Sequence, residues 1–554
     1  MIRFDAERLG RNLQDIEPNF LDRVIGYVSP RRALARMHAR ARIAIAASYT
    51  GARSDRRSMK EWGASVGSAN ADTLPELPTL RARSRDLVRN APIAGGAINT
   101  VAINVVGGGL RLQPKLNREI LGLSDEEAEE WERQAAMVWR AWSESTGCDI
   151  TRIDDFAGLQ DLAFRSVMES GDLLVVRRSR PTAGDVLGLK VQLVESDRIC
   201  NPDRMLDTER LAGGVEIDSN GAPVRYHVLN RHPGDYFLTG FAGQTWSAVP
   251  ARGRQSGERL AILLYHRTRS GQVRGVPFLA PVIEPLKQLS QYSEAELMAA
   301  VIAGMFTIFV KTELGDDQLA ALATESEESG TTTQASDYKI GYGSVIDLAP
   351  NEEVTTASPQ RPNANFDPFV ESVLRQIGVG LGLPFEVLIK HFTASYSAAR
   401  AALLEAWKFY QVRRQWLAKH FCQPVYEWAI SEAILRDMLR APGFNDDPVV
   451  RAAYLRATWI GPAPGQIDPF KETSAAEKRI QIGISTIEEE TASITGGDWE
   501  VKHAQRVKER KARLEGGLES EETDPSTGKK AVASPAGVDA DADPDAEDAE
   551  EREE

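Results

Sequence analysis

The longest regular pattern of apolar and polar positions lies in the middle of the chain, from Arg274 to Phe306. Apolar side chains recur there every three or four residues, which predicts one face of a long helix rather than a strand. Prolines are tolerated near a helix start, so the regular part is expected from about Pro281 to Ala303. The candidate packing residues on this face are Leu286, Leu289, Ala295, Ala299 and Ile302.

Two strands and a second helix are predicted to follow. The first strand has the sequence FTIFVKTE, and Tyr338–Leu348 is the second, after a segment rich in Asp, Glu, Ser and Thr. Asn365 then opens a helix with the sequence FDPFVESVLRQIGVGLGLP. Two helices thus flank an excursion of about sixty residues. Periodicity alone favours a core helix of an ordinary globular domain for the first of these helices.

The N-terminal half contains a helical pattern at Leu80–Val106 that ends at three consecutive glycines, Gly107 to Gly109. The stretch before Leu80 is expected to be a weakly structured linker. A phosphate-binding loop requires a lysine continuation and a following helix, whereas LRLQPKL after the glycines has the pattern of a strand. A turn is therefore predicted. The glycines at 378, 380 and 382 precede Leu383-Pro384, which ends a helix rather than starting one.

An α+β module is predicted next. Ser124 and Glu127 form a capping box that opens a helix to about Ser143, with Trp131, Val138, Trp139 and Trp142 on its apolar side. A second helix, Phe156–Ser170, is followed by four stretches with strand patterns: DLLVVRRS, LKVQLVES, GGVEIDSNGAPVRYHVL and ERLAILLYHR. Asn220-Gly221 is expected to form a hairpin turn.

The C-terminal half begins with a short connection, Phe385–Ser395, which leads into a long predicted helix, Tyr396–Leu439. That helix carries so much aromatic surface that it is expected to pack on the preceding α+β module and on an adjacent subunit. Mixed helix and loop are expected as far as Trp499. Beyond about Arg513 no apolar period remains, which favours a disordered tail.

Several motifs, in this order over most of the chain, resemble those of the lambda-family phage portal proteins, from about Arg31 to Trp499. They are LRARSRDLVRNAP at Leu80, NVVGGGL at Asn104, RGVP at Arg274 with YSEAEL at Tyr292, GLGLPFEVL at Gly380, YSAARAALLEAW at Tyr396, and WIGP at Trp459 with IDPFKE at Ile467. Each motif is weak singly, but their shared order is specific.

The resemblance implies a portal fold of the α+β class. Its expected parts are a basic arm and linker (1–79), an α/β wing (80–273), a first stem helix (274–306), a small α/β clip (307–363), a second stem helix (364–382), a tunnel loop (383–395), a long helix of the wing or crown (396–440), a crown-side region (441–513) and an acidic tail (514–554). By the same resemblance, the tunnel loop is the part nearest to DNA. Its candidate residues are Lys390, His391, Thr393 and Ser395.

The function implied by the resemblance is that of a non-enzymatic ring, a homododecamer, at one vertex of a tailed-phage head. Such a ring nucleates head assembly, forms the channel for packaging and ejection of double-stranded DNA, and docks first the terminase large subunit and then the head completion or tail connector protein. Its other expected partners are the major capsid and scaffold proteins. The alternatives are another capsid or connector component, or a nucleic-acid enzyme of the packaging machinery.

Composition indicates the compartment in which the protein is made and shows where along the chain its charge lies. The 554 residues suggest several subdomains, and no uninterrupted apolar stretch of membrane-spanning length or signal peptide is recognised. Three scattered cysteines favour a reducing compartment, so synthesis in a host cytoplasm is expected. The net charge is −14, of which residues 516–554 contribute −11 (fourteen acids, three bases), leaving −3 for the rest. A nearly neutral body suits a protein through which DNA slides.

A basic stretch, Pro30–Arg57, could bind phosphate or an acidic protein surface. The favoured interpretation is a solvated helical arm that packs on a neighbouring subunit through Leu34, Ile43 and Ile45. Its arginines are Arg31, Arg32, Arg36, Arg40, Arg42, Arg53, Arg56 and Arg57.

Two signatures of catalysis are not found: there is no HExxH and no Walker motif. His420 and Cys422 are two apart on a predicted helix, so they face apart. The remaining candidates for a metal are acidic clusters that are more simply solvated or capping, at Asp154, Asp155, Glu325, Glu327 and Glu328. No catalytic residue, cofactor or metal site is therefore predicted.

Overall fold

A computed structural model describes residues 20–37, 62–63, 66–235, 244–304, 308–312, 352–356, 366–392, 395–466 and 468–518. Helix and strand are mixed, and helix predominates. The helices are α1 (Phe20–Val28), α2 (Ala69–Thr73), α3 (Leu77–Asn90), α4 (Pro92–Val105), α5 (Arg118–Leu121), α6 (Asp125–Ser143), α7 (Phe156–Ser170), α8 (Ile283–Gly304), α9 (Phe366–Leu381), α10 (Phe385–Ile389), α11 (Tyr396–Leu417), α12 (Gln423–Leu435), α13 (Pro448–Tyr454), α14 (Pro469–Gln481), α15 (Ile487–Thr495) and α16 (Trp499–Glu515).

The strands form small sheets. They are β1 (Arg111–Pro114), β2 (Asp172–Ser179), β3 (Leu189–Val194), β4 (Leu211–Ala212), β5 (Val215–Ile217), β6 (Pro223–Leu229), β7 (Trp246–Pro250), β8 (Ala261–Tyr265), β9 (Ile308–Thr312), β10 (Glu352–Thr356) and β11 (Ala457–Ile460). The chain divides into two compact units: the first contains residues 1–82, 197–250 and 265–276, and the second contains residues 83–196, 251–264 and 277–554. Segment 80–273 thus contributes to both units.

The first unit is built on an antiparallel sheet in the order β4-β5-β6-β7. The predicted hairpin turn at Asn220-Gly221 is confirmed. The Asp218 carboxylate accepts hydrogen bonds from the N–H groups of Asn220 and Ala222, both at 2.8 Å, and Gly221 has a φ of +82°. An aspartate before the turn satisfies backbone donors that the short loop leaves unpaired.

Arg274 of the RGVP motif is almost fully buried in the first unit, with 2% of its surface exposed. Its guanidinium donates hydrogen bonds to the main-chain oxygens of Ile199 at 2.7 Å and Gly213 at 2.6 Å. A buried charge is tolerated only when such partners replace water. The motif therefore holds the sheet to the segment leading into the long central helix.

The stretch before Leu80 is not wholly the weakly structured linker that was predicted. Ser68 caps α2 by accepting a hydrogen bond from the Ala71 N–H at 3.1 Å, and α3 begins at Leu77, which is buried. Asp72 forms an ion pair with Arg269 at 2.7 Å. The prediction was wrong here because contacts with residues distant in sequence stabilise a helix of only five residues.

The described part of the N-terminal arm consists of α1 and a second helical segment, residues 30–37. Arg36 forms an ion pair with the buried Asp22 at 2.9 Å. Leu34, a predicted packing residue, is 57% exposed, whereas Ile43 and Ile45 lie outside the described residues.

The core of the second unit is an aromatic cluster centred on Trp139. Its ring lies 5.1 Å from Phe156, 5.2 Å from Trp142, 5.6 Å from Tyr426 and 5.7 Å from Trp459, measured between centroids. Aromatic pairs at such distances contribute roughly 0.5–1.5 kcal/mol each beyond their buried area. The cluster joins α6, α7, α12 and β11, so the C-terminal part of the predicted long helix packs against the α+β module. Its packing on an adjacent subunit stays a prediction.

The predicted capping box of α6 is confirmed: Ser124 accepts from the Glu127 N–H at 3.2 Å, and the Glu127 carboxylate accepts from the Ser124 N–H at 2.9 Å. The bounds predicted for α7 are also confirmed. Sheet order in this unit is β3-β2-β8, and β1 pairs antiparallel with β11, so that Leu112 faces Trp459. The sequence did not identify β11 as a strand.

The glycine triplet forms a turn, as predicted. A Cβ on Gly109 would lie 2.6 Å from the Cβ of Ala157, so the backbone approaches α7 too closely for any side chain. The Gln160 side-chain amide forms two hydrogen bonds with the backbone of Leu110. Its Oε1 accepts from the Leu110 N–H at 2.7 Å, and its Nε2 donates to the Leu110 oxygen at 3.3 Å. The turn is therefore a packing feature.

Two helix predictions were too long. The predicted helix Leu80–Val106 is divided at Ala91, where Pro92 starts a new helix. The helix predicted for Tyr396–Leu439 widens into a π-helical turn at Ala418–Cys422 and ends at Leu435. Pro424 has no N–H to donate to residue 420, and its ring would clash with the carbonyl of that residue, so regular α-helix cannot continue through it.

The excursion in the middle of the chain is described only at its ends, where β9 pairs antiparallel with β10. This confirms the first predicted strand, while Tyr338–Leu348 lies outside the described residues. Within the described part of the chain, none of the helices is both long enough and apolar enough to cross a bilayer.

Candidate functional site

The two predicted stem helices, α8 and α9, pack together in the second unit. α8 follows a 3₁₀ turn, Ala280–Val282, which confirms the predicted helix start to within two residues. Leu286 and Leu289 are 2% and 5% exposed. Farther along α8, the Tyr292 ring stacks on Phe366 at 5.4 Å and meets the edge of Phe369 at 5.0 Å. The first half of the predicted apolar face therefore packs within one protomer.

The second half of that face is not buried in the protomer. Ala295 is exposed and Ala299 is half-buried, while the Ile302 side chain lies outside the described part of the structure. Other apolar residues of α8 are also exposed: Leu297 at 65%, Met298 at 55% and Val301 at 46%. We call these three residues the exposed stem row. These residues lie outside the predicted apolar face, although the run LMAAVIAG is apolar on every side.

The predicted tunnel loop has a buried base and an exposed tip. Val387 and Leu388 of α10 are buried, and the Arg375 guanidinium lies 5.1 Å above the Phe385 ring. Lys390 ends α10 in the left-handed region, with a φ of +57° and a ψ of +36°. The backbone N–H groups of Lys390 and His391 both donate to the Glu386 oxygen, the latter at 3.1 Å. The main chain of the tip is thus held while its side chains stay exposed.

Three of the four candidate tunnel-loop residues can be placed. The side chains of Lys390, His391 and Ser395 are exposed, whereas Thr393 lies outside the described residues. Ser395 precedes α11, but its hydroxyl forms no capping hydrogen bond. Phe392, which was not among the predicted loop residues, is 47% exposed next to His391 in the chain. Each chain therefore presents a small surface with one lysine, one histidine and one aromatic ring.

Arg414, near the C-terminal end of α11, is bonded to the end of α4 just before the glycine turn. Its guanidinium donates to the main-chain oxygens of Asn104 at 2.9 Å, Val105 at 3.3 Å and Pro462 at 2.8 Å. It also lies 5.0 Å from the centre of the Trp407 ring. Burial lowers the pKa of Arg414 to about 10, which leaves it charged at neutral pH. Residues of the motifs NVVGGGL, YSAARAALLEAW and WIGP thus all contact the Arg414 guanidinium.

The described side chains that were considered for catalysis or metal binding include a helix cap and a thiol buried in the core. Asp155 caps α7, because its carboxylate accepts a hydrogen bond from the Gly158 N–H at 2.8 Å, and this confirms the predicted capping role. Glu325, Glu327 and Glu328 lie outside the described residues. Burial raises the pKa of the Cys148 thiol to about 12. His420 is exposed while Cys422 is fully buried, which confirms that they point to different faces.

Comparison with known proteins agrees with these motifs. A family model described as "Phage portal protein, lambda family" matches residues 55–414. The chain is 28% identical over 482 residues to the portal protein of Escherichia phage N15, covering 83% of this chain and 89% of that protein. Portal protein B of Escherichia phage lambda is also 28% identical over 482 residues, covering 83% of this chain and 88% of that protein.

Among solved structures, a chain of the virion of a native gene transfer agent (GTA) particle matches 75% of this chain and 92% of its own length, with 13% identity and a TM-score of 0.38. The family model spans well over half of the chain and the relatives match over most of their length, so the assignment rests on them. This chain belongs to the lambda family of phage portal proteins.

Proposed function

We propose that copies of this chain assemble into a homododecameric ring at one vertex of a phage head. The ring nucleates head assembly, forms the channel for DNA packaging and ejection, and docks the terminase large subunit and then the head completion or tail connector protein. Major capsid and scaffold proteins surround it in the assembling head. Family membership supports this role.

The observation that carries the proposal is the exposed stem row on α8. Leu297, Met298 and Val301 expose about half or more of their surface in the protomer, at the end of a helix whose first half is well packed. Apolar side chains grouped on one helix indicate a surface that another chain covers. In a ring, the neighbouring subunit's stem covers this row. The same contact repeats between all subunits, and it closes into a ring when the rotation between neighbours is a whole fraction of a full turn.

The exposed tip of the tunnel loop is proposed to contact DNA. In a ring, Lys390 and His391 of every subunit form a circle around the duplex. Each tight phosphate contact releases counterions and adds to affinity, so a dense circle of cations would hold DNA in place. One lysine and one histidine per chain give a sparse circle that guides the duplex while allowing it to slide.

The proposed role is structural rather than enzymatic. A thiol acts as a nucleophile in its thiolate form, and burial raises the pKa of both Cys148 and Cys422. The capping role of Asp155 likewise accounts for one of the acids considered as a metal ligand.

Negative-stain electron microscopy of the purified chain tests the proposal. The expected images are rings with an axial hole, in which class averages show twelve-fold symmetry. Images that contain only monomers, sheets or closed shells would contradict it, and another capsid or connector role would then be the better assignment.

A further inference from the structure

The C-terminal helix α16 carries a stripe of positive charge along one face. Four basic residues recur at spacings of four, four and three positions, which places them on the same side of the helix. They are Lys502, Arg506, Arg510 and Arg513, and we call them the basic stripe. At 1.5 Å per residue, the stripe is about 16 Å long. The three arginines are exposed, and α16 contains no buried residue.

The charge of the stripe is only partly compensated by its neighbours. Lys502 donates a hydrogen bond to the Thr495 hydroxyl, which is uncharged. On another side of the helix, Lys511 lies 3.9 Å from Glu515. No carboxylate among the described residues forms an ion pair with Arg506 or Arg510. A row of exposed guanidinium groups on a helix is a binding surface for polyanions.

The end of α16 turns the chain out of the helical path. Gly517 has a φ of +67°, its N–H donates to the Leu514 oxygen at 3.2 Å, and the Leu518 N–H donates to the Arg513 oxygen at 2.9 Å. This pair of hydrogen bonds around a left-handed glycine is a Schellman motif. The last described residue, Leu518, therefore lies beside the last turn of α16, and 36 residues follow it in the sequence.

Those remaining residues, 519–554, have the opposite charge. They contain fourteen acids and three bases, a net charge of −11, and ten of the acids lie in the last sixteen residues. At up to about 3.5 Å per residue, a segment of this length reaches the whole stripe without being fully extended. A short connection also gives the two segments an effective local concentration of about millimolar.

We propose that segment 519–554 binds the basic stripe of its own chain and thereby shields it from DNA. The proposal rests on the proposed function, because DNA is the competing polyanion in a portal. The carboxylates of the segment occupy the sites that phosphates would otherwise take on Arg506 and Arg510. The stripe then adds no affinity for DNA while the duplex slides through the ring. Displacement of the segment exposes the stripe as a second DNA-binding surface.

DNA affinity is the first test, measured by fluorescence anisotropy with a short labelled duplex of mixed sequence. Truncation after Leu518 keeps the helix cap and removes the acidic segment. We expect it to raise DNA affinity about tenfold or more at low salt and to steepen the salt dependence. In the truncated chain, Arg506→Gln with Arg510→Gln should reduce the slope of log K against log salt by about two.

Lys508→Gln with Lys511→Gln is the matched control, since both lysines lie away from the stripe. This control should retain most of the affinity gained by truncation. The proposal is overturned if truncation leaves DNA affinity unchanged, or if the control and the stripe variant lose equal affinity.

Docking itself is tested by carbodiimide cross-linking of the full chain, which joins lysine amino groups to nearby carboxylates. Lys502 should be linked to peptides from 519–554, and the links should disappear at high salt. In a mixture of isotopically light and heavy chains, the links should join segments of the same chain. Links only between different chains would overturn the same-chain assignment.

The failure of this inference can be distinguished from the failure of the proposed function. Rings in electron micrographs without tail-dependent DNA binding would leave the portal role intact and remove the shielding. Tail-dependent DNA binding by a protein that forms no rings would leave the shielding intact and contradict the ring.

Discussion

Val282 packs so closely against Gly380 that a Cβ at position 380 would lie 2.7 Å from the Val282 Cγ1 atom. Real Cβ atoms do not approach neighbours this closely, so the helix α9 requires glycine at this point. Val282 is 3% exposed and β-branched, which limits the ways in which it can move aside. The contact therefore fixes the distance between α9 and the turn that starts α8.

The first prediction is that Gly380→Ala destabilises the protein. Overpacking a well-packed contact costs roughly 1–3 kcal/mol, which outweighs the gain of up to about 1 kcal/mol in helix propensity. Gly96→Ala is the control, because a Cβ on Gly96 in α4 has no atom within 4 Å. Calorimetry should show a lower Tm for Gly380→Ala and an unchanged or higher Tm for the control. A higher Tm for both would show that the stem contact is adaptable.

The second prediction concerns the exposed stem row. Leu297→Asp or Val301→Asp should leave the protomer folded, because each side chain is about half exposed or more, but should prevent ring formation. An unpaired carboxylate in a packed contact between subunits costs several kcal/mol, on the order of 2–7 for a polar group and more for a charge. Ala299→Asp should have a similar effect. Analytical ultracentrifugation measures the outcome.

The control for the stem row is Gln291→Asp, at an exposed polar position of the same helix. It should assemble like the wild type. Wild-type rings from the Leu297 and Val301 variants would place the subunit contact elsewhere.

The third prediction is that Lys390→Asn with His391→Ala permits ring and head assembly but reduces packaging or retention of DNA. Both side chains are exposed, and the loop is held through backbone hydrogen bonds to Glu386, so the fold should not change. Asparagine is chosen because it tolerates the left-handed conformation of Lys390. The measurement is the length and yield of nuclease-protected DNA in heads assembled with the variant.

Two outcomes would refute this assignment. Full-length protected DNA at wild-type yield would mean that neither residue is required for contact with DNA. Loss of rings would mean that the loop has a structural role.

The fourth prediction is a pH dependence from Glu490 of α15. The Arg479 guanidinium donates two hydrogen bonds of 2.7 Å to its carboxylate and holds the pKa of Glu490 below its ordinary value of 4.5. A carboxylate with a lowered folded-state pKa stabilises the fold at neutral pH, and this contribution is lost as the pH falls through the folded-state pKa. Glu490→Gln should therefore lower the Tm at pH 7.

The Tm difference between Glu490→Gln and the wild type should shrink as the pH falls below about 4.5. Glu477→Gln, at an exposed position of α14, is the control and should change the Tm little at either pH. A Tm deficit of Glu490→Gln that is independent of pH would show that the ion pair does not contribute.

Local features were predictable because the residues that determine them are neighbours in the sequence. The capping box of α6 depends on Ser124 and Glu127, which are three positions apart. The Asn220-Gly221 turn and the bounds of α7 have similarly local causes. The order of short motifs along the chain was enough to identify the family, which is a property of the sequence and does not depend on packing.

The tertiary structure decided what each apolar or charged position contacts. Periodicity placed Leu289 and Ala295 on one face of α8, but only Leu289 is buried within the chain. The burial of Arg274 and the pairing of β1 with β11 depend on segments far apart in the chain. The need for glycine at 380 arises from Val282 in another element. Sequence spacing specifies which side of an element a residue occupies, whereas burial depends on which distant segment packs against that side.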